Sequence, residues 1–325
     1  FYSIKFKKEF AMETVHEIFY PCKFDHTRQP AMCQPATGTQ PRPLVVALHT
    51  WSGDHTQATY REFAALAAER NWHMIFPAFR GPNWNPDGCG SDLVVSDMED
   101  AVSYMKENYA VDPVRIYLTG GSGGGHCSLL LAGRRPDLWS AVSSWCPISD
   151  IALWCKQSFI LKTEYGNHII TACGGDPAES SAALREARLR SPLTWLSNAH
   201  GLRVDISTGI HDGHTGSVPV GQAIRAYNQL ADAADRISEE DIAYIEKNEA
   251  IPAHLAEHED DPAYGKCVVH MRKQSGNVRL TLFEGGHDML PKTAFEWLER
   301  QSADQQPDWK PGRPIEQDGS ATLFR

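Results

Sequence analysis

The chain has 325 residues, 42% of them hydrophobic, which is enough to bury the core of one large domain or of two small ones. Its formal net charge of −10 at pH 7 argues against nucleic acid as a partner, because a phosphate backbone attracts basic surfaces. No apolar run approaches the roughly 18 residues of a membrane-spanning helix, so we expect a soluble protein without a membrane partner. The compartment stays open, and a secreted or periplasmic location is among the alternatives.

Strands and helices alternate along most of the chain. The predicted strands cover residues 13–20, 27–35, 43–50, 72–79, 114–120, 140–147 and 202–210, and a hairpin turning at 275–277 leads to the last strand. The predicted helices cover residues 62–70, 91–109, 124–135 and 291–301. Apolar strands that alternate with helices over short connections predict an α/β fold with a mostly parallel central sheet and helices on both faces.

The other segments are predicted as additions to a single domain spanning residues 1–325. Residues 1–42 hold the two N-terminal strands. Residues 151–200 and 231–266 interrupt the alternation and are predicted as helical insertions, which commonly form the walls of a pocket. The tail at 303–325 is rich in proline and charge, and we expect it to be extended.

One glycine-rich segment carries a candidate nucleophile. Residues 120–124 read Gly-Gly-Ser-Gly-Gly and match G-x-S-x-G, with a predicted strand before them and a predicted helix after them. In that context the motif is typical of a nucleophile elbow, a turn too tight for side chains beside the serine, which presents Ser122 at the carboxyl edge of the sheet. A plain glycine-rich loop is the alternative.

A serine nucleophile of this kind needs a base and an orienting acid. His287, in FEGGHDML, directly follows the last strand and is the candidate base. The alternative is a loop histidine with no catalytic role. Asp212 follows the preceding strand of the predicted sheet and is the candidate acid, with a helix-capping turn aspartate as the alternative. Asp150 is the main rival acid, and Asp288 and Asp205 are weaker ones.

Backbone N–H groups are the candidates for an oxyanion hole. The turn LHTWSGD leaves a strand at His49 and offers the N–H of Thr50 or Trp51. The second donor is the N–H of Gly123, the residue after the nucleophile. A buried turn with no catalytic part is the alternative.

No cofactor or metal site is predicted. His211 and His214 flank Asp212, but no further ligand stands at a spacing that suits zinc. The eight cysteines show no C-x-x-C spacing and are expected as buried thiols. One or two disulfides are the alternative for an exported protein, with Cys22 and Cys33 facing each other across the first hairpin.

Five segments share the pattern of one family. They are FRGPN (79–83), VDPVRIYLTGGSGGG (111–125), RSPLTWL (190–196), GIHD (209–212) and GGH (285–287). With these motifs in this order, the chain resembles the α/β-hydrolase superfamily from about residue 43 to 300. Specifically, it resembles the catalytic domain of prolyl oligopeptidase-type serine hydrolases and related carbohydrate esterases. The resemblance implies an α/β-hydrolase fold with Ser122 as nucleophile, Asp212 as acid and His287 as base.

The chain departs from the family pattern in three places. His49-Thr50-Trp51 stands where the family usually has H-G-G, so two residues with a Cβ occupy the oxyanion turn. Five residues separate Asp212 from Val218, where the family commonly has two. About 42 residues precede the first core strand, so we do not expect the β-propeller that limits access in the peptidases of the family.

The resemblance implies a serine hydrolase, and an ester is the expected substrate because its leaving group is better than that of an amide. We expect an acyl-enzyme mechanism on a small ester or an acylated carbohydrate, with an acetyl or feruloyl group on a polysaccharide. Candidate substrate-binding residues are Arg80, Trp84, Trp154 and His214, with Trp51 and Trp145 as further stacking surfaces. The alternatives are an ion pair of Arg80 with Asp97 or Asp100, and tryptophans that pack in the core.

Two other functions stay open. A serine peptidase acting on short peptides needs acidic side chains for a free amino terminus, which the Glu-rich segment 239–246 would supply. Such a run is also typical of a solvated helix face. A non-catalytic hydrolase fold used for binding is the second alternative, although such proteins usually lose a triad residue, and all three candidates are present here.

Overall fold

The structure, a computed structural model, describes residues 15–256 and 259–315. Within these ranges the strands are β1 (His16–Pro21), β2 (Arg28–Gln34), β3 (Arg42–Leu48), β4 (His73–Pro77), β5 (Val111–Gly121), β6 (Ala141–Trp145), β7 (Arg203–Gly209), β8 (Val269–Ser275) and β9 (Val278–Phe283). The helices are α1 (Tyr60–Glu69), α2 (Asp92–Asn108), α3 (Gly123–Arg134), α4 (Ile151–Ile160), α5 (Tyr165–Cys173), α6 (Ser181–Leu189), α7 (Gly221–Leu230), α8 (Glu239–Asn248) and α9 (Pro291–Glu299). Every predicted strand and helix is confirmed within a few residues.

All nine described strands form one sheet in the order β1-β2-β4-β3-β5-β6-β7-β9-β8. The six inner strands from β4 to β9 pair in parallel. The outer strands join by antiparallel pairing: β1 and β2 flank β4, and β8 flanks β9. This arrangement confirms the predicted α/β-hydrolase fold. It also brings the carboxyl ends of β5, β7 and β9 to one edge of the sheet.

Strand β3 shows why the centre of the sheet is buried on both faces. Leu44 and Val46 lie in the hydrophobic cluster of one face, whereas Val45 and Ala47 lie in that of the other. All four side chains are fully buried. Successive side chains of a strand point to opposite faces, and each buried valine or leucine contributes roughly 1.5–3 kcal/mol. A strand covered on both sides therefore carries an unbroken apolar run.

Helix α2 illustrates how a helix covers one of these faces. Its N-cap is Ser91, whose side-chain oxygen accepts a hydrogen bond from Val94 N at 3.3 Å. Val94, Met98 and Met105 are buried at helical spacing and belong to the same cluster as Leu44. The helix thus buries an apolar stripe against the sheet.

A third hydrophobic cluster lies at the carboxyl edge of the sheet. Helices α4, α5 and α6, which fall within the predicted insertion 151–200, contribute Ile151, Ile169 and Ala183 to it. Trp51, which follows β3, and Val218, from the loop after β7, pack in the same cluster. The insertion is therefore fixed over the loops that leave the strands.

The first hairpin does not bring Cys22 and Cys33 together. In the antiparallel register of β1 and β2, Cys33 lies opposite His16, at the far end of the hairpin from Cys22. The predicted disulfide is wrong, because strand register keeps the two residues apart, and both are free thiols. Seven of the eight cysteines are buried, as expected, and Cys267 is half-buried.

Two other expectations concern the ends and the surface of the chain. Residues 303–315 contain no helix or strand, and residues 316–325 of the predicted tail lie outside the described residues, as do residues 13–14 of the first predicted strand. None of the helices described is both long and apolar enough to cross a membrane.

Candidate active site

Ser122 stands in the turn between β5 and α3. Its φ of 59° and ψ of −120° are unfavourable for a residue with a Cβ, and such strain is typical of a nucleophile elbow. The turn is held by Ser122 N, which donates to Trp145 O at 2.9 Å. A Cβ on Gly120 would lie within 3 Å of the backbone of Gly124. The glycines are therefore required by close backbone contact, which excludes the plain flexible loop.

His287 and Asp212 meet at the same edge of the sheet. His287 follows β9, Asp212 follows β7, and His287 Nδ1 lies 2.7 Å from Asp212 Oδ2. Ser122 is separated from this pair by the end of β6 in the sheet order. The structure thus brings the three predicted residues to the same edge of the sheet.

The long loop after Asp212 orients its carboxylate. Gly213 N and Val218 N donate to Asp212 Oδ1 at 3.0 Å and 3.2 Å. Gly216 lies so close that a Cβ there would meet both Asp212 Oδ1 and the Cβ of His287. The residues that exceed the family pattern therefore curl around the carboxylate, and they leave Oδ2 directed at the imidazole.

The Asp212 carboxylate stabilises a positive charge on His287. Burial lowers the pKa of His287, but the adjacent carboxylate outweighs this effect and raises the pKa well above its usual value. The arrangement favours the imidazolium, the state that His287 reaches once it takes a proton from a nucleophile.

One of the two candidate donors in the oxyanion turn is engaged within the turn. Thr50 N donates to Gln57 Oε1 at 2.9 Å, and Gln57 Nε2 donates to Thr50 Oγ1 at 2.8 Å. Trp51 N, in contrast, lies against the backbone of Gly123, so close that a Cβ on Gly123 would collide with it. The backbones of Trp51 and Gly123 therefore lie against each other beside Ser122, whereas the N–H of Thr50 is engaged by Gln57.

The rival acids have other partners. Asp150 is the N-cap of α4 and accepts from Leu153 N at 2.9 Å. Asp205 pairs with Arg279 at 2.7 Å. Asp288 accepts from Gly286 N at 2.9 Å and shapes the histidine loop itself. Of these carboxylates and Asp212, Asp212 is the one that the structure pairs with His287.

Arg80 takes the structural role that was the alternative to substrate binding. Its Nε lies 2.6 Å from Asp97 Oδ2, its Nη2 lies 2.9 Å from Asp97 Oδ1, and its Nη1 lies 2.7 Å from Asp25 Oδ2. A substrate carboxylate would have to displace two aspartates. The prediction of Arg80 as a substrate-binding residue is therefore wrong.

The predicted stacking tryptophans divide into buried and exposed ones. Trp51, Trp145 and Trp154 are at most 1% exposed, and Trp154 Nε1 donates to Ser217 O at 2.9 Å. They pack in the core, so Trp154 is not a substrate surface. Trp84 is 37% exposed, and its ring lies 4.9 Å from that of His168.

His214 belongs to a polar network at the protein surface. Its Nε2 lies 2.6 Å from Glu246 O, and its Nδ1 lies 3.6 Å from Glu249 Oε1. The neighbouring His211 lies 2.7 Å from Glu249 and 3.0 Å from Glu284. These contacts tie the acid loop to α8, which accounts for His214 without a substrate.

Cys146 was not predicted as a site residue, yet its thiol lies beside the histidine and the acid. The ligating atoms of Cys146, Asp212 and His287 lie within 4.8 Å of one another, the one such group among the described residues that would suit a metal ion. The Asp212–His287 hydrogen bond already explains two of its members. The available signal was position, since Cys146 directly follows β6 and polar site residues gather at the carboxyl ends of parallel strands.

Comparison with known proteins gives a family match over part of the chain and likenesses in fold. Residues 84–237 match the model of the Prolyl oligopeptidase family. The chain is 29% identical over 131 residues to a poly(3-hydroxyalkanoate) depolymerase C from Paucimonas lemoignei, covering 36% of this chain and 30% of that protein. It is 24% identical over 186 residues to feruloyl esterase B from Talaromyces stipitatus, covering 54% of this chain and 45% of that protein. The chain thus spans less than half the length of either relative.

Among solved structures, an acylaminoacyl peptidase from Pyrococcus horikoshii superposes with a TM-score of 0.61 at 14% identity. The match covers 95% of this chain and 44% of that one. At this identity the likeness concerns the fold alone.

Proposed function

We propose that this chain, whose residues 84–237 match the Prolyl oligopeptidase family, is a serine hydrolase that hydrolyses carboxylic esters, with Ser122 as nucleophile, His287 as base and Asp212 as acid. The observation that carries the proposal is the 2.7 Å contact of His287 with Asp212 beside the strained turn of Ser122. The substrate class is a small ester or an acylated carbohydrate.

The reaction proceeds by two acyl transfers. His287 Nδ1 is held by Asp212, so Nε2 is the ring nitrogen that takes the proton from Ser122 Oγ as this oxygen attacks the ester carbonyl. The N–H groups of Trp51 and Gly123 stabilise the negative charge that develops on the carbonyl oxygen. Protonated His287 then gives its proton to the leaving alcohol, and water repeats the sequence on the acyl-enzyme.

The ion pairs of the Glu-rich segment 239–246 favour an ester over a peptide as the substrate. A peptidase that binds a free amino terminus needs carboxylates that are available for it. Glu239 and Glu246 both pair with Arg225, at 2.8 Å and 3.3 Å. The names of two sequence relatives, a depolymerase and a feruloyl esterase, support an ester. A third relative, acylamino-acid-releasing enzyme 2 from Oryza sativa, 22% identical over 189 residues, supports the peptidase alternative.

Trp84 is the proposed contact for an aromatic acyl group or a sugar ring. Asn83 N donates to Trp51 O at 2.9 Å. The exposed Trp84 therefore directly follows a residue that is hydrogen-bonded to the oxyanion turn. The adjacent His168 has a pKa lowered by burial, which favours the neutral ring beside the indole. The two rings, tilted by 46° to each other, offer an aromatic and uncharged surface.

The first test compares p-nitrophenyl acetate with Ala-Pro-p-nitroanilide. We expect turnover of the ester, with little release from the amide, and a loss of about 10⁴-fold or more in Ser122→Ala because the nucleophile is removed. Ser128→Ala, a buried serine six residues further along in α3, is the matched control and should retain activity. Comparable turnover of the amide would identify a peptidase, and activity in Ser122→Ala would exclude the proposed mechanism altogether.

A second test concerns the acyl group. Trp84→Ala should lower kcat/KM for methyl ferulate by about 2-fold to 10-fold, the worth of one aromatic contact, and leave p-nitrophenyl acetate unaffected. Trp195→Ala is the control, because Trp195 contacts Gly133 at the end of α3 remote from Ser122. An equal loss on both esters would remove Trp84 from the acyl site.

A further inference from the structure

Cys146 occupies a strained position at the carboxyl edge of the sheet. It follows β6 directly, and its φ of 44° lies in the left-handed region, which is costly for a residue with a Cβ. Its N–H donates to Ser207 O at 2.8 Å, so the strained residue is tied to β7. Strain of this kind is retained where the surrounding structure holds it, and it gathers at functional sites.

The thiol of Cys146 contacts the loop that carries His287. Cys146 Sγ lies 3.0 Å from the carbonyl oxygen of Asp288, the residue after His287. It is also within 4.8 Å of the ligating atoms of Asp212 and His287. One side chain therefore contacts both the Asp–His pair and the backbone next to the histidine.

The protonation state of Cys146 makes it a donor. Burial raises the pKa of the thiol, whereas the contact with His287 lowers it to a smaller extent. The thiol is thus protonated at neutral pH, and its S–H donates to the Asp288 carbonyl. Because Cys146 is fully buried, it acts through the histidine loop and does not contact substrate.

We propose that Cys146 is a positioning residue, which keeps the His287 imidazole in line with Asp212 by donating its S–H to the Asp288 carbonyl oxygen. The inference rests on the proposed function, in which His287 is the base. Without this bond, residues 285–288 lose one of their attachments to the sheet. The imidazole then shifts relative to Ser122, while the surfaces that bind the substrate stay as they are.

The test separates the donor from the volume of the side chain. Cys146→Ala removes the donor, Cys146→Ser keeps a hydroxyl donor, and Cys33→Ala is the matched control in β2, an equally buried cysteine remote from the site. The kcat and KM for p-nitrophenyl acetate are measured per active site, after titration with a fluorophosphonate that labels the nucleophilic serine. Counting sites in this way removes any effect of a smaller folded fraction.

A misplacement of about 1 Å in a catalytic group costs up to about 100-fold, so we expect kcat of Cys146→Ala to fall about 10-fold or more, with KM within about two-fold. Cys146→Ser should recover most of kcat, and Cys33→Ala should match the wild type. The split between kcat and KM, together with the rescue by serine, is what a purely structural cysteine would not produce.

Either of two results overturns the inference: Cys146→Ala with kcat within about two-fold of wild type, or a serine variant as slow as the alanine variant. If Cys146→Ala does not fold, Cys146→Gly replaces it under the same criteria, since glycine adopts a positive φ without strain. Failure of the proposed function is recognised separately, by Ser122→Ala that hydrolyses the ester as fast as wild type, and the inference then falls with it.

Discussion

Asp212 acts on His287 through charge as well as through orientation. The carboxylate lies 2.7 Å from the imidazole and raises its pKa, so in the proposed mechanism protonation of His287 sets the acidic limb of the pH–activity profile. That mechanism requires the neutral imidazole, so we expect activity to be lost as the pH falls through the raised pKa.

We therefore expect two effects of Asp212→Asn. The pKa of His287 falls when the negative charge is removed, so the acidic limb of kcat/KM moves to lower pH. The rate itself falls by about 10⁴-fold, because the amide no longer selects the productive tautomer. The pH dependence of ester hydrolysis checks both, and Asp150→Asn is the control, since Asp150 caps α4. If the acidic limb of kcat/KM did not move in Asp212→Asn, a group other than His287 would set that limb.

The elbow and the oxyanion turn are built as one unit of backbone contacts. Gly123 begins α3, and a Cβ there would collide with Trp51 N, the other proposed donor. The cost of such a side chain is not conformational, because Gly123 is helical. The cost arises because the side chain would push the N–H groups of Trp51 and Gly123 apart.

Gly123→Ala should therefore impair catalysis more than stability. The expected loss in kcat is about 10²-fold to 10³-fold, the usual cost of one oxyanion donor. Gly221→Ala is the matched control: Gly221 also begins a helix, α7, but its close neighbours are the flexible ends of Glu246 and Arg225. Kinetics and thermal unfolding of both variants decide the matter. Equal kcat values in the two variants would contradict the assignment of the donors.

At the scale of the whole molecule, His211 links separate parts of the chain. It belongs to the acid loop, and it lies between Glu249, which ends α8, and Glu284, which follows β9. His214 faces Glu249 and His270 faces Glu284 in the same network. Partial burial lowers the pKa of His211, but the two carboxylates outweigh this effect and raise it.

The raised pKa fixes the sign of a pH effect on stability. The contribution of His211 is fully present below its unfolded pKa of about 6.5, and it is lost as the pH rises through the higher folded pKa. Urea midpoints should therefore decline less between neutral and alkaline pH in His211→Gln than in wild type. His200→Gln, at an exposed histidine, serves as the control. If the urea midpoints of wild type, His211→Gln and His200→Gln declined equally, His211 would not stabilise the protein through its two carboxylates.

The strands, the helices and the pairing of Asp212 with His287 could be predicted because each depends on local pattern and chain order. Apolar runs specify β3 and β7, and the G-x-S-x-G turn and the loop after β9 identify Ser122 and His287. The predictions that the structure does not support concern contacts between distant segments. The engagement of Thr50 by Gln57, the ion pairs of Arg80 and the burial of Trp154 are decided by side chains that no local pattern relates.

The proposed catalytic residues follow three strands that are distant in sequence, and the last of these strands, β9, pairs in parallel with β7 and antiparallel with β8. Parallel pairing between distant segments is slow to form, since chain entropy is lost before the contacts compensate for it. A chain still emerging from the ribosome can form the serine turn, but it has no base until residue 287 has been synthesised and β9 has joined the sheet. Recovery of esterase activity would then mark the last step of refolding, later than the recovery of helical signal.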